Sequence, residues 1–181
     1  MFDLLGAGGA SALMTAVVST VGGIGSPIPL PAMPAISPLA AVQPLHQLVE
    51  ANRVGASLDA EGQCLATAVY FESRGESLKG QLAVADVVLN RSKSGRYPTS
   101  LCAVVKQKAQ FSFVQAGRFP RIDANGEAWS RAQAIARIAL EKKANAVPTD
   151  VLWYHADYVA PSWGRRLTKV DKIGAHIFYR A

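Results

Sequence analysis

From Asp59 to Asn145 apolar residues recur at three- and four-residue intervals, and beyond Pro148 that period gives way to short β-like runs. Asp59 is placed to cap a helix running to Arg74, with Leu65, Ala68 and Val69 on its apolar side. Ser77 is placed to cap a second helix through Leu82, Val84, Ala85, Val88 and Leu89 that ends before Gly95, and these two helices should form a hairpin. A short helix near Ser100 to Gln107 follows Pro98. A long one from Gly126 to Asn145 carries Ala128, Ala132, Ile135 and Ala139. The runs VLWYHA and IGAHIFYR read as strands, separated by a turn at Pro161-Ser162-Trp163-Gly164. The pattern predicts an α+β, mostly helical domain with a small antiparallel sheet near the C-terminus.

The front of the chain has a different character. Leu4 to Ile24 is uncharged and apolar, of a length that suits a signal-peptide core or a poor membrane anchor. Met1-Phe2-Asp3 lacks the basic residues that usually precede an export core. Six prolines then fall between Ser26 and Pro44, a density that prevents helix and favours an extended spacer. The expected organisation is a signal-like or anchor segment over 1–25, a Pro-rich linker over 26–58 and a folded domain over 59–181.

Charge follows the same division. Up to Ala60 there is one basic residue, Arg53, against Asp3, Glu50 and Asp59, whereas the remainder holds 18 basic and 10 acidic residues. A positive field concentrates an anionic polymer, which could be nucleic acid or cell wall bearing peptide carboxylates. No helix-turn-helix, RNP-like or zinc-finger pattern supports nucleic acid, and none is expected as a partner. Cys64 and Cys102 each stand at the edge of a predicted helix. Their even count fits either a disulfide in an oxidising compartment, tying the Glu72 helix to the Ser100 helix, or two buried thiols in a reducing one. The spacing of His46, His155 and His176 matches no metal motif, and no cofactor is expected.

Glu72 is the residue that carries chemistry. At about 100° per residue it falls between Ala68 and Val69 and over Leu65, so its carboxyl points where the helix packs. Burial there disfavours the charged form, raises the pKa, and lets a Glu hold a proton for a leaving oxygen. The competing reading is an ordinary solvated Glu, or one paired with Arg74. Gly75 reads as a helix C-cap, which leaves Glu76 in a turn with a structural role. His176, alternating with Ile173 and Ile177, reads as a core histidine.

The segments CLATAVYFESRGESLKGQLAVADVVLNR from Cys64, YPTSLCAVV, QFSFV from Gln110, WYHADYVAPSW and IGAHIFYR together resemble the cell wall hydrolases of the spore cortex-lytic (SleB/CwlJ) type. The resemblance runs in consistent order from Gly62 to Arg180. It implies a lysozyme-like core, Glu72 as the catalytic acid, and peptidoglycan as the partner, cut between N-acetylmuramic acid and N-acetylglucosamine. Relatives often carry a further cysteine pair flanking the QFSF segment, where this chain has Ala109 and Gln115. The resemblance puts Gln110, Phe111 and Ser112 opposite the Glu, with Tyr154, His155 and Trp163 as further candidates to line a glycan cleft. For each of these an ordinary packing role competes with sugar binding. Asp123, Glu127 and Asp157 are the later acids near these segments, and none sits in a recognisable motif. This favours a lytic transglycosylase, which needs one Glu, over a muramidase, which needs two carboxylates. The alternatives are an N-acetylmuramoyl-L-alanine amidase and a non-catalytic wall-binding module. A monomer in the cell envelope, periplasmic or secreted, with possible N-terminal membrane association, completes the expectation.

Overall fold

The computed structural model describes residues 43–181, so the apolar segment 1–25 and the linker up to 42 lie outside the described residues. Five helices precede a three-stranded sheet: α1 Leu45–Ala51, α2 Ala60–Ser73, α3 Leu78–Lys93, α4 Leu101–Val105, α5 Glu127–Leu140, then β1 Trp153–Ala156, β2 Thr168–Ile173 and β3 His176–Arg180. Among the described residues no helix is long and apolar enough to cross a membrane. The first helix lies inside the span expected to be linker. Val49 of α1 is fully buried against the helical core, so the packed body starts ahead of the expected boundary at 59.

Helix α2 is the centre. Leu65, Ala66, Ala68 and Val69 are all inaccessible, and α3, α4 and α5 pack around it. A helix buried on most sides must satisfy its own hydroxyls, and Thr67 and Ser73 donate to the carbonyls of Gln63 and Val69. The caps are those the sequence indicates: Asp59 accepts from the N–H of Gly62, and Ser77 from that of Gly80. Gly75, in contrast, is not a left-handed C-cap; Arg74 ends α2 and the chain turns with negative φ. Helix α5 stops five residues before the expected Asn145. Lys142 takes the left-handed conformation (φ 54°), and the N–H groups of Lys142 and Lys143 close onto the carbonyls of Ala139 and Ile138. This is a Schellman closure with Lys at the position usually given to Gly, which is why the sequence shows no stop there.

The sheet order is β1-β3-β2, both pairs antiparallel. The sequence reading missed β2. As an edge strand reading TKVDKI, with three exposed positions and only Ile173 buried, it lacks apolar alternation, and the register slips between Lys169 and Asp171. IGAHIFYR is accordingly not one strand. Gly174 (φ 58°) makes the β2–β3 turn, and Ile173 and His176 face each other across it. A Cβ on Gly174 would collide with the Glu76 carboxylate, whose Oε2 accepts from the Ala175 N–H at 3.2 Å. Glu76 therefore has the structural role expected of it, holding the hairpin to the α2–α3 turn.

Three polar residues of α3, Asp86 and the consecutive Asn90 and Arg91 one turn later, attach the sheet to the helices. Asp86 Oδ2 accepts from the N–H groups of Ala146 and Val147, Asn90 Nδ2 donates to the carbonyls of Pro148 and Val151, and Arg91 Nε donates to Leu152 O at 2.8 Å. Beneath them Ala83, Val87, Val147, Val151, Ile173 and Phe178 form a second apolar cluster. The segment entering β1 is thus fixed along its length.

Cys64 and Cys102 form a disulfide that ties α2 to α4. The same junction has a second tie, because the Glu61 carboxylate accepts from Ser100 Oγ and from the Leu101 N–H at the start of α4. Replacing both cysteines by Ser should cost about 3–4 kcal/mol, as expected for the 38-residue separation. The residual Glu61 cap should keep α4 docked. Thermal and urea unfolding check the loss, and an unchanged far-UV spectrum checks the docking.

Candidate active site

Where the C-terminal end of α2 meets β1 the surface opens into a cleft of about 430 Å³. Its walls hold Phe71 and Glu72 from α2, Arg91 from α3, Gln110 and Ser112 from the loop after α4, Tyr154 to Ala156 from β1, Tyr158 and Val159 beyond it, and His176 from β3. The structure brings together Glu72, Gln110, Ser112, Tyr154 and His155 as expected. Two candidates stand elsewhere. Phe111 is only 4% exposed and packs in the helical core, its ring beside Phe113. Trp163 backs the wall without lining it, edge-on to His155 at 5.4 Å and to Tyr179 at 5.6 Å.

Among the described residues Glu72 is the one carboxylate of the cleft wall. Burial raises its pKa, and two weaker effects oppose this: a hydrogen bond from the Tyr154 hydroxyl to Oε2 at 3.1 Å and the positive charge of Arg91. Tyr154 is itself held protonated by burial first and by the nearby Glu72 charge second, so it remains a donor. With Oε2 engaged, the proton of the neutral acid belongs on Oε1. Arg74 is not the partner of Glu72: its guanidinium lies over the Tyr70 ring at 5.1 Å.

The cation facing the site is Arg91, which the sequence reading did not single out. It is 3% exposed, with its guanidinium near the rings of Tyr97, Phe111 and Tyr154 at 5.2, 5.8 and 6.0 Å, and its Nη1 finds no partner among the described residues. The signal was present, since Val84, Val88 and Arg91 follow one face of α3 and both valines are fully buried. A charge continuing an apolar stripe is a reason to look for a site.

Both histidines line the cleft, in different states. His155 has both ring nitrogens occupied: Nδ1 donates to the Ala156 carbonyl at 2.8 Å, and Nε2 pairs with the Tyr179 hydroxyl at 2.9 Å. It stacks on Tyr179 and shapes the wall, with no nitrogen left for a ligand. His176, expected as a satisfied core residue, lines the cleft instead with its Nδ1 unpaired among the described residues. Burial lowers its pKa, opposed by the charges of Glu76 and Asp157, and its ring meets Tyr154 edge-on at 5.2 Å.

The loop carrying Gln110 and Ser112 is held by aromatic packing. Phe113 stacks on Phe71 at 4.9 Å and contacts Phe111 and Phe119. Ala109 takes positive φ (61°), and Gln115 pairs with Arg118 in a tight turn. Rings therefore hold the segment at the positions where relatives often have a cysteine pair. The other later acids do not line the cleft: Glu127 pairs with Arg53 and Arg131, Asp157 pairs with Lys172, and Asp123 caps the turn before α5. Among the described residues no group of three or more His, Cys, Asp or Glu is arranged to hold a metal ion, and both cysteines are in the disulfide.

Comparison with known proteins bears on this arrangement. The spore cortex-lytic enzyme of Bacillus subtilis is 33% identical over 135 residues, covering 72% of this chain and 41% of that protein, and its counterpart in Oceanobacillus iheyensis is 31% identical over 119 residues, covering 64% and 40%. The chain thus spans about two-fifths of the length of the curated relatives it matches. Among solved structures, the catalytic domain of the germination-specific lytic transglycosylase SleB of Bacillus anthracis superposes with a TM-score of 0.56 at 30% identity. It covers 70% of this chain and all of that one. The catalytic domain of the Bacillus cereus SleB protein gives 0.54 at 30% identity, covering 71% and 96%. The mostly helical, lysozyme-like architecture is shared with these domains. The family model described as Cell Wall Hydrolase matches residues 75–179, a stretch that begins three residues after Glu72 and covers more than half of the chain. The chain belongs to the cell wall hydrolase family.

Proposed function

We propose that this domain cleaves the glycan strand of peptidoglycan between N-acetylmuramic acid and N-acetylglucosamine, as a lytic transglycosylase with Glu72 as its proton donor. The observation that carries the reading is the single carboxylate found on the cleft wall among the described residues, its pKa raised by burial and its Oε2 held by the Tyr154 hydroxyl. The name of the Bacillus anthracis neighbour, a lytic transglycosylase, supports the same reaction.

The chemistry follows from one acid. Glu72 gives its Oε1 proton to the glycosidic oxygen as the C1–O4 bond breaks, and the departing sugar leaves as an alcohol. The carboxylate so formed is steadied by the Tyr154 hydroxyl and the Arg91 charge. It then takes the proton of the muramyl 6-hydroxyl as that oxygen bonds to C1, which closes a 1,6-anhydro ring and returns Glu72 to its acid form. No water is consumed, so no second carboxylate is required to activate one. The same burial that raises the donor's pKa serves both halves, since a raised pKa favours the acid form and makes its conjugate carboxylate a stronger base. The disulfide and the net positive charge of the domain are in keeping with a place in the cell envelope, periplasmic or secreted, against an anionic polymer.

Glu72→Gln should lower the rate by about a thousandfold or more, within the usual range of a lost general acid and base. Mass spectrometry of digested sacculi reads the outcome: anhydro-muropeptides from the wild type support the proposal, whereas reducing-end muropeptides, free stem peptides or no products overturn it in favour of a muramidase, an amidase or a binding module. A folded Gln variant that still digests sacculi removes Glu72 from the role.

Two pH effects follow from the raised pKa. Activity should fall as pH rises through it, because the donor form is lost. Tyr154→Phe deletes a hydrogen bond that favours the carboxylate, so its alkaline limb should move to higher pH, measured by turbidity loss of sacculi across a pH series. For stability, the folded pKa lies above the unfolded one, so the native state binds the proton more tightly and loses stability as pH rises between the two. Asp86, pushed up to about 6 by burial against its backbone hydrogen bonds, adds a loss of the same sign. Glu72→Gln should therefore melt at a higher temperature than the wild type at pH 8, with the gap narrowing toward pH 4.

A further inference from the structure

Large apolar side chains standing exposed are few among the described residues: Val54, Leu140, Tyr158 and Val159. The last two are consecutive and both lie on the wall of the Glu72 cleft. Tyr158 is 84% exposed and Val159 45%, at the mouth of a groove whose lining is elsewhere mainly polar, apart from Phe71 and Ala156. The turn that carries them is fixed. The Asp157 N–H donates to the Ala175 carbonyl at 2.7 Å, the Val159 N–H donates to the Ala156 carbonyl at 3.0 Å, and the Asp157 carboxylate pairs with Lys172 Nζ at 2.7 Å. A ring held out on an anchored turn has only its own two side-chain torsions to lose on binding, a low entropic cost for its contact area.

The cleft is therefore two-sided. The amide of Gln110 and the hydroxyl of Ser112 stand on the loop after α4, and a phenol ring with an aliphatic neighbour stands beyond β1. A pyranose has the same two characters, an apolar face of axial C–H bonds and an edge of hydroxyls and acetamido groups. We infer that Tyr158 is a stacking platform for a sugar ring of the glycan strand outside the bond that Glu72 addresses, giving the domain a preference for long strands over short fragments. The inference rests on the glycan-cleaving function proposed above and names how that site holds its substrate.

The test uses the Glu72→Gln chain, which binds without turnover, and soluble peptide-free strands of alternating N-acetylglucosamine and N-acetylmuramic acid of increasing length. Titration calorimetry should give a dissociation constant for long strands about tenfold weaker with Tyr158→Ala, in line with the worth of an aromatic contact. Tyr158→Trp should restore it, whereas a residue that only shaped the turn would not be rescued by a larger ring. At 84% exposure neither substitution should alter the fold, which far-UV circular dichroism checks. Equal affinities of Tyr158→Ala and its parent at every length overturn the platform. Digestion of sacculi by the chain that retains Glu72 is read separately, so an absent cleavage product sinks the catalytic reading while the binding comparison still decides the platform.

Discussion

The contact between the Glu72 carboxyl and the Tyr154 hydroxyl joins the two halves of this structure. One partner comes from the most deeply packed helix and the other from the first strand, 82 residues later. Neither group has this environment within its own element. On α2 alone Glu72 would be hydrated and ionised at neutral pH. Only when the sheet closes over the end of the helix does desolvation outweigh the hydrogen bond and the Arg91 charge that favour the anion. The raised pKa of Glu72 is thus a property of the assembly, and whatever positions the sheet positions this carboxyl.

The positioning is done mainly with polar groups. Asp86, Asn90 and Arg91 project from α3 and bond the backbone from Ala146 to Leu152, a segment without its own ladder partners until β1 begins. Buried bonds of this kind add little net stability, but leaving any one unmade is costly, so they fix one arrangement among those that apolar packing alone would allow. Glu76 repeats the device at the β2–β3 turn, where Gly174 leaves room for its carboxylate. Two acidic residues four positions apart in one motif thereby serve different ends. Glu76 faces backbone N–H groups and holds structure, while Glu72 faces a cavity and a phenol.

The cleft is built of parts that differ in how they are held. Its floor and one wall belong to helices and strands, whereas Gln110 and Ser112 stand on a loop without regular structure, held by the rings of Phe71, Phe111, Phe113 and Phe119. Aromatic packing substitutes there for covalent constraint. The opposite wall is stiff because His155 spends both nitrogens on its own strand and on Tyr179.

The sequence by itself determined the local order: four of the five helices, two of their caps, and the position of Glu72 on a buried side of α2. These follow from hydrogen bonds and periodicities spanning a few residues, so a short window holds them. Contacts between distant segments were not legible. Nothing near Arg91 foretells that its guanidinium will face Tyr154, nothing in a polar edge strand announces β2, and the αL turn at Lys142 is hidden because Gly is absent. Phe111 and Trp163 read as sugar platforms until packing put one in the core and the other behind His155, whereas Tyr158 stood in plain view within the WYHADYVAPSW segment without being distinguished. Which aromatic meets a ligand depends on what the rest of the chain leaves uncovered, and solvent exposure is settled only when the tertiary structure closes.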